Sequence, residues 1–140
     1  MAIRHSTAVW NGNLTEGAGT MTIGKDWYTG TFTRASRFAD GQGTNPEELL
    51  GAAHAGCFSM YLAAILSKSG FTPTQIRTQA EVSIVDGPVI DRITLHTQAN
   101  VPNVDEATFQ DHVTRAKKEC PVSKALAAVP EIQVNAKLVN

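Results

Sequence analysis

The sequence contains no block of basic residues. Twelve lysines and arginines stand against thirteen aspartates and glutamates, and the formal net charge is −1. Nucleic-acid binding draws on clustered cations, so nucleic acid is not expected as the main partner. The first ten residues, MAIRHSTAVW, lack the apolar core of a secretory signal, which points to a cytoplasmic protein. Neither C-x-x-C nor H-E-x-x-H occurs, and His5, His96 and His112 are scattered. No metal and no cofactor is therefore expected. Repeats, low-complexity tracts and linkers are also missing, so residues 1–140 read as a single domain long enough for a real core. A chain of this length often completes its burial by pairing with a copy of itself. Only two cysteines are present, Cys57 and Cys120. A reducing cytoplasm makes a structural disulfide between them unexpected. They are either inert core residues or a redox pair.

One stretch organises the chain, Asn45 to Gly70. Asn45 is a good helix N-cap, Pro46 suits the first helical position, and Glu47 and Glu48 place negative charge where the helix dipole favours it. Gly70 is a plausible stop. Leu49 to Leu66 is an 18-residue run without a charge, just the length of a membrane span. Its small residues, with His54 and Ser59, argue instead for a helix buried within a domain or a dimer, so no membrane is expected.

Before this helix, residues 3–10, 18–24 and 27–33 read as strands of an antiparallel meander, and Arg34 to Thr44 as a loop. After it, residues 75–85 and 89–101 alternate and form a hairpin around Asp86-Gly87-Pro88. Asp105 to Glu119 is helical and ends at Cys120, because a residue before proline avoids helical geometry. A short helix runs from Pro121 to Ala128, and Ile132 to Leu138 alternates as a last strand. Strands and helices come in blocks, so the class is α+β with mainly antiparallel sheet.

The chemistry-bearing candidates gather around the long helix. His54 lies three residues before Cys57 and shares its face. It is a base for a cysteine nucleophile, a metal ligand, or a buried histidine bonded to a neighbour. An arginine such as Arg37 near a thiol favours the thiolate, and a carboxylate such as Glu47 would orient the guanidinium. Both are equally readable as ordinary surface charges. Glu47 and Cys57 are ten residues apart, about 15 Å along one straight helix, and cannot touch directly. Either Arg37 bridges part of the gap, or the carboxylate comes from a second copy packed antiparallel. The second arrangement, an active site shared across a dimer interface, is the working expectation.

Residues 37–60, RFADGQGTNPEELLGAAHAGCFSM, resemble the signature of the osmotically inducible protein C (OsmC) family. His54 favours the OsmC branch over the organic hydroperoxide resistance (Ohr) branch, which usually has tyrosine there. Glu119-Cys120-Pro121-Val122-Ser123 resembles the family's second motif. The resemblance covers nearly the whole chain. It implies an OsmC-like α+β fold, with antiparallel sheets around a long central helix and an intertwined homodimer. It implies a thiol-dependent peroxidase acting on organic hydroperoxides. Cys57 would be the peroxidatic cysteine, Cys120 the resolving cysteine, and Arg37 and Glu47 the family's arginine and carboxylate. The reductant would be a dithiol, such as a lipoyl-bearing protein. Phe38, Phe58 and Met60 are expected to favour an organic substituent on the peroxide. The alternatives are a binding or scaffold protein that keeps the fold, and a cysteine hydrolase or acyl transferase using His54.

Overall fold

Residues rich in β-branched and aromatic types build three strands near the N-terminus: β1 (Ser6–Asn11), β2 (Ala18–Ile23) and β3 (Tyr28–Phe32). They pair antiparallel in the order β1-β2-β3. Asn13 shapes the first turn by accepting hydrogen bonds from the Thr15 and Glu16 amides. Gly19 sits between Trp10 and Phe32 in the register. A Cβ at Gly19 would lie 2.6 Å from the Phe32 ring, so the missing side chain lets the two rings close over it, centroids 5.3 Å apart. A five-residue helix, α1 (Arg34–Phe38), follows. The sequence reading had a loop here. Thr33 and Ser36 form a capping box, each side chain bonding the other's amide, and that suffices to fix one turn.

A computed structural model describes all residues, Met1–Asn140, and it divides into two compact units, Met1–Leu49 and Leu50–Asn140. Helix α2 (Pro46–Lys68) begins at the end of the first. Its start is as expected: the Glu48 amide donates to the Asn45 side chain at 2.8 Å. It stops at Gly70, whose φ of +87° favours glycine, with the Phe71 amide returning to the Leu66 carbonyl. By length and composition α2 is the one helix able to cross a membrane, although 33% of its most apolar window is buried within the chain.

The second unit holds a second three-stranded sheet. Strands β4 (Gln75–Val85) and β5 (Val89–Asn100) form the expected antiparallel hairpin. Helices α3 (Glu106–Glu119) and α4 (Pro121–Ala125) follow, then β6 (Glu131–Leu138). Strand β6 pairs parallel with β5, because the two helices make the crossover that parallel pairing requires. The sheet is thus mixed. Its middle strand β5 supplies Ile93, Leu95 and Ala99 to a core completed by Phe58, Leu62, Ile65 and Leu66 of α2 and Phe109, Val113 and Ala116 of α3. Helix α2 approaches β4 closely at Gly51, where a Cβ would sit 3.3 Å from Ala80 and Val82. A hydroxyl chain, Ser59 to Thr78 at 2.7 Å and Thr78 to Thr97 at 2.9 Å, ties α2 across β4 to β5.

Phe109 is fully buried in this core. Phe109→Ala should cost about 3–5 kcal/mol of unfolding free energy, read as a lower urea midpoint with an unchanged slope.

Candidate active site

The geometry assembles the candidate residues into two pairs, one in each unit. In the first unit Arg37 meets Glu47. Arg37 Nη2 donates to Oε1 at 2.7 Å, and Nε donates to both carboxylate oxygens at 3.1 and 3.2 Å. Glu47 is 6% exposed. A buried carboxylate without a partner carries a desolvation cost of several kcal/mol, and the arginine offsets it with charge-assisted bonds. Local chemistry holds both ends in place. The Ser36 hydroxyl donates to the Thr44 carbonyl at 2.8 Å, and the Asn45 side-chain amide donates to the Ser36 carbonyl at 3.0 Å. These bonds clamp α1 to the residues that open α2. Arg37 and Glu47 pair within one chain, because α1 turns Arg37 back toward the first turn of α2.

Beside this pair lies a cleft of about 290 Å³ lined by Trp10, Leu14, Phe32, Arg34, Phe38 and Pro46, with Arg37 in its wall. The Arg37 guanidinium lies 5.1 Å from the Phe38 ring centre, within cation–π range. Phe38 therefore faces a cleft, as expected. Phe58 does not: it is fully buried in the core of the second unit. Met60 is 77% exposed. Trp10, Leu14 and Phe32 escaped the sequence reading, since only strand pairing places them near Arg37.

In the second unit the two cysteines touch. Cys120 Sγ lies 2.9 Å from Cys57 Sγ, and both are free thiols. Cys57 sits midway along α2 and is half-buried, whereas Cys120 is fully buried at the corner between α3 and α4. The corner follows from Pro121: Cys120 takes φ −54° and ψ 128°, while its amide still bonds the Ala116 carbonyl. Burial pushes the Cys57 thiol up, its hydrogen bond with Cys120 adds to the rise, and the Val122 amide opposes it. Burial pushes Cys120 up as well. Its hydrogen bonds with Cys57, with the Ser123 amide and side chain, and with the Val122 amide outweigh burial and hold it below its ordinary value. The two shifts run in opposite directions, so of the two thiols Cys120 gives up its proton more readily.

His54 is fully buried. Its Nε2 is 2.8 Å from the Ser123 hydroxyl, and its Nδ1 is buried without a hydrogen-bond partner in the chain. Of the roles open in the sequence, the histidine bonded to a neighbour is the one formed. Its ring nitrogen is engaged by a serine rather than by Cys57, so no Cys–His nucleophile pair exists. No group of three or more potential metal ligands occurs. Around the same corner the Tyr61 hydroxyl donates to Glu119 at 2.6 Å, and Arg115 donates to the same carboxylate oxygen at 3.0 Å.

Fold and site together define a class, a dithiol protein with one cysteine on a long apolar helix and the other at a helix junction. More particularly, the chain belongs to the OsmC-like protein family, whose family model matches residues 39–135. It is 43% identical over 129 residues to Peroxiredoxin OsmC of Escherichia coli (strain K12), covering 86% of this chain and 87% of that protein. It is 33% identical over 88 residues to the Organic hydroperoxide resistance protein of Xanthomonas axonopodis pv. citri (strain 306), covering 62% of each. The crystal structure of an OsmC-like protein from Mycoplasma pneumoniae matches 99% of both chains, with a TM-score of 0.79 at 22% identity. That likeness extends to the fold.

The buried imidazole gives a pH dependence with a definite sign. Burial holds His54 below its ordinary value of 6.5, so below that pH the unfolded chain binds the proton more readily than the folded one. Stability should therefore fall between about pH 7 and about pH 5, and His54→Gln should show a shallower fall. Equal slopes for wild type and variant in urea unfolding would count against a neutral buried His54.

Proposed function

We propose that this protein is a peroxidase that reduces organic hydroperoxides to alcohols through its two thiols. The observation that carries this reading is the contact of Cys57 with Cys120. Two free thiols already within reach need almost no motion to become a disulfide. Family membership and the name of the Escherichia coli relative support the same reading.

The Cys57 thiolate attacks one peroxide oxygen and breaks the O–O bond. The alkoxide leaves and takes a proton, and Cys57 becomes a sulfenic acid. Cys120 attacks that sulfur, forming the disulfide and releasing water, which protects Cys57 from further oxidation. An external dithiol, with a lipoyl-bearing protein as the candidate, returns both thiols by exchange. In a site shared with a second copy, Arg37, oriented by Glu47, is the cation we assign to favouring the thiolate and the charge developing on the leaving oxygen. The aromatic cleft beside Arg37 suits an organic substituent better than hydrogen peroxide.

The working form is a cytoplasmic homodimer in which the whole chain serves as one domain. Two features support the pairing. The exposed face of α2 carries Ala52, Gly56, Met60 and Ala64 at a spacing of four residues, and a Cβ at Gly56 would meet nothing within 4 Å. Small residues at helical spacing permit close approach of a second helix. In addition, β1 is exposed along its whole length, and Trp27 and Tyr28 are 85% and 47% exposed.

One stoichiometric equivalent of an organic hydroperoxide should remove both thiols of reduced protein together. Cys57→Ser should abolish the loss, and Cys120→Ser should leave a sulfenic acid trappable on Cys57. Arg37→Ala should slow the peroxide step about 100-fold or more, the scale for losing one oriented charge-stabilising group. Retention of both thiols by wild-type protein would favour a scaffold role instead. In sedimentation, wild type should run at twice the chain mass and Met60→Lys should shift toward monomer. A monomeric wild type would remove the dimer from the proposal.

A further inference from the structure

Cys57 rides on α2 and Cys120 on the α3–α4 corner, so the contact of their sulfurs depends on how α2 lies against α3. Both helices give apolar side chains to one core, Leu62 and Leu66 from α2 and Phe109 and Val113 from α3. Apolar burial is non-directional and tolerates small slips, whereas a hydrogen bond weakens steeply when its angle is lost. Two hydrogen-bonded ties hold the register. Just past the end of α2, Ser69 Oγ meets His112 Nε2 at 2.9 Å. Nearer the sulfurs, Tyr61 donates to Glu119 Oε2 at 2.6 Å, and Arg115 Nε donates to the same oxygen at 3.0 Å. Tyr61 follows Cys57 by four residues and shares its helix face one turn on. Glu119 immediately precedes Cys120. Ser69 is twelve residues from Cys57, about 18 Å at helical rise.

We propose that the Tyr61–Glu119–Arg115 tie is a positioning clamp that holds Cys120 against Cys57 and thereby sets the stability of their disulfide. The clamp rests on the peroxidase reading for the use of that disulfide and adds three positioning residues to it, none of which touches the peroxide. A dithiol held near its bonded geometry gives up little further freedom when the S–S bond closes. Without the clamp the two helices would slip by small amounts, and the sulfurs would spend less time in reach of each other.

Three features distinguish this tie from an ordinary surface pair. Arg115 lies one turn before Glu119 on α3, so it steadies the carboxylate from within its own helix. Tyr61 is packed against the core, so its hydroxyl is held by the body of the side chain as well as by Glu119. The bond itself is charge-assisted, the stronger kind. It holds the Glu119 carboxyl below its ordinary range and the Tyr61 phenol above its own, so acceptor and donor keep their charge states across neutral pH.

The test is the thiol–disulfide equilibrium of the full-length protein in buffers of varied reduced and oxidised dithiothreitol. Oxidised dithiothreitol takes up the two electrons and two protons that leave Cys57 and Cys120, its S–S bond breaking as theirs forms. Tyr61→Phe changes no charge and keeps the ring in place. It should make the protein disulfide about tenfold easier to reduce, about 30 mV for a two-electron couple and the scale of one charge-assisted hydrogen bond. Glu119→Leu should do the same, and Glu119→Gln, which keeps an acceptor, should recover most of the loss. Adding Tyr61→Phe to Glu119→Leu should bring no further change, since both remove one interaction. Ser69→Ala breaks the distant tie and should leave the equilibrium unmoved. With an organic hydroperoxide, Tyr61→Phe should form sulfenic acid at the wild-type rate and close the disulfide about tenfold more slowly, the same loss of proximity read as a rate. An equilibrium unmoved by Tyr61→Phe, or an equal shift in Ser69→Ala, would overturn the clamp and leave the peroxidase reading standing. Wild-type protein that forms no sulfenic acid would sink the peroxidase reading alone, because the dithiothreitol equilibrium still decides the clamp.

Discussion

Proline cannot extend the helix that precedes it, and the chemistry of this molecule depends on where that rule is applied. At Pro121 the ring forces Cys120 out of helical geometry, yet the Cys120 amide still closes the last turn of α3 and its carbonyl accepts from Lys124 in α4. Cys120 is thus bonded into both helices while belonging fully to neither. A residue so held has a fixed Cβ direction, and here it aims the sulfur at Cys57. The remaining shift from 2.9 Å to a disulfide bond of about 2.04 Å is under the scale of a side-chain rotation. The fold supplies proximity before any reaction takes place, which is the part of catalysis that position alone can deliver.

The Arg37–Glu47 pair answers to a different constraint. A carboxylate as buried as Glu47 is tolerated only beside a cation, and a guanidinium is the cation whose fork fits both oxygens. In return the carboxylate fixes Arg37 in one orientation. Arg37 keeps 36% of its side chain exposed, and Nη1 takes no part in the pair, so its charge stays available on the side of the aromatic cleft. An arginine fixed by a buried partner loses little conformational freedom when it meets an anion. The same pair is thus a structural necessity of the first unit and a ready group for stabilising developing negative charge.

Much of this was legible in the sequence wherever a local rule decides the outcome. The Asn45-Pro46-Glu47-Glu48 start of α2, the alternation of β4 and β5, the Asp86-Gly87-Pro88 turn and the stop at Cys120 all follow from capping, periodicity and proline sterics. The four residues singled out for chemistry also fall into two bonded pairs. What stayed hidden depends on tertiary placement. Helix α1 is only five residues, and a capping box rather than a hydrophobic period holds it. The parallel direction of β6 depends on the length of the crossover before it. Helix α2 is apolar almost all round, so its sequence carries no moment to tell core from surface, and Phe58 was read as a pocket residue although it points into the core. No pattern links His54 to Ser123 either, since only the packing of α2 against the α3–α4 corner brings them together.

Two touching thiols raise a question of order. In the proposed cycle the first step needs the thiolate on Cys57 and the second needs it on Cys120. The groups around the pair favour Cys120, through the Val122 and Ser123 amides and the Ser123 side chain. The second step is therefore prepared in advance, and the first is the one that requires a further cation, the role proposed for Arg37. Such a division has a physical advantage. While Cys57 is a thiol, Cys120 has no electrophile within reach. In the proposed cycle the electrophile arises on Cys57 beside the thiol whose surroundings favour ionisation, and closure, being unimolecular, competes well with a second encounter with peroxide.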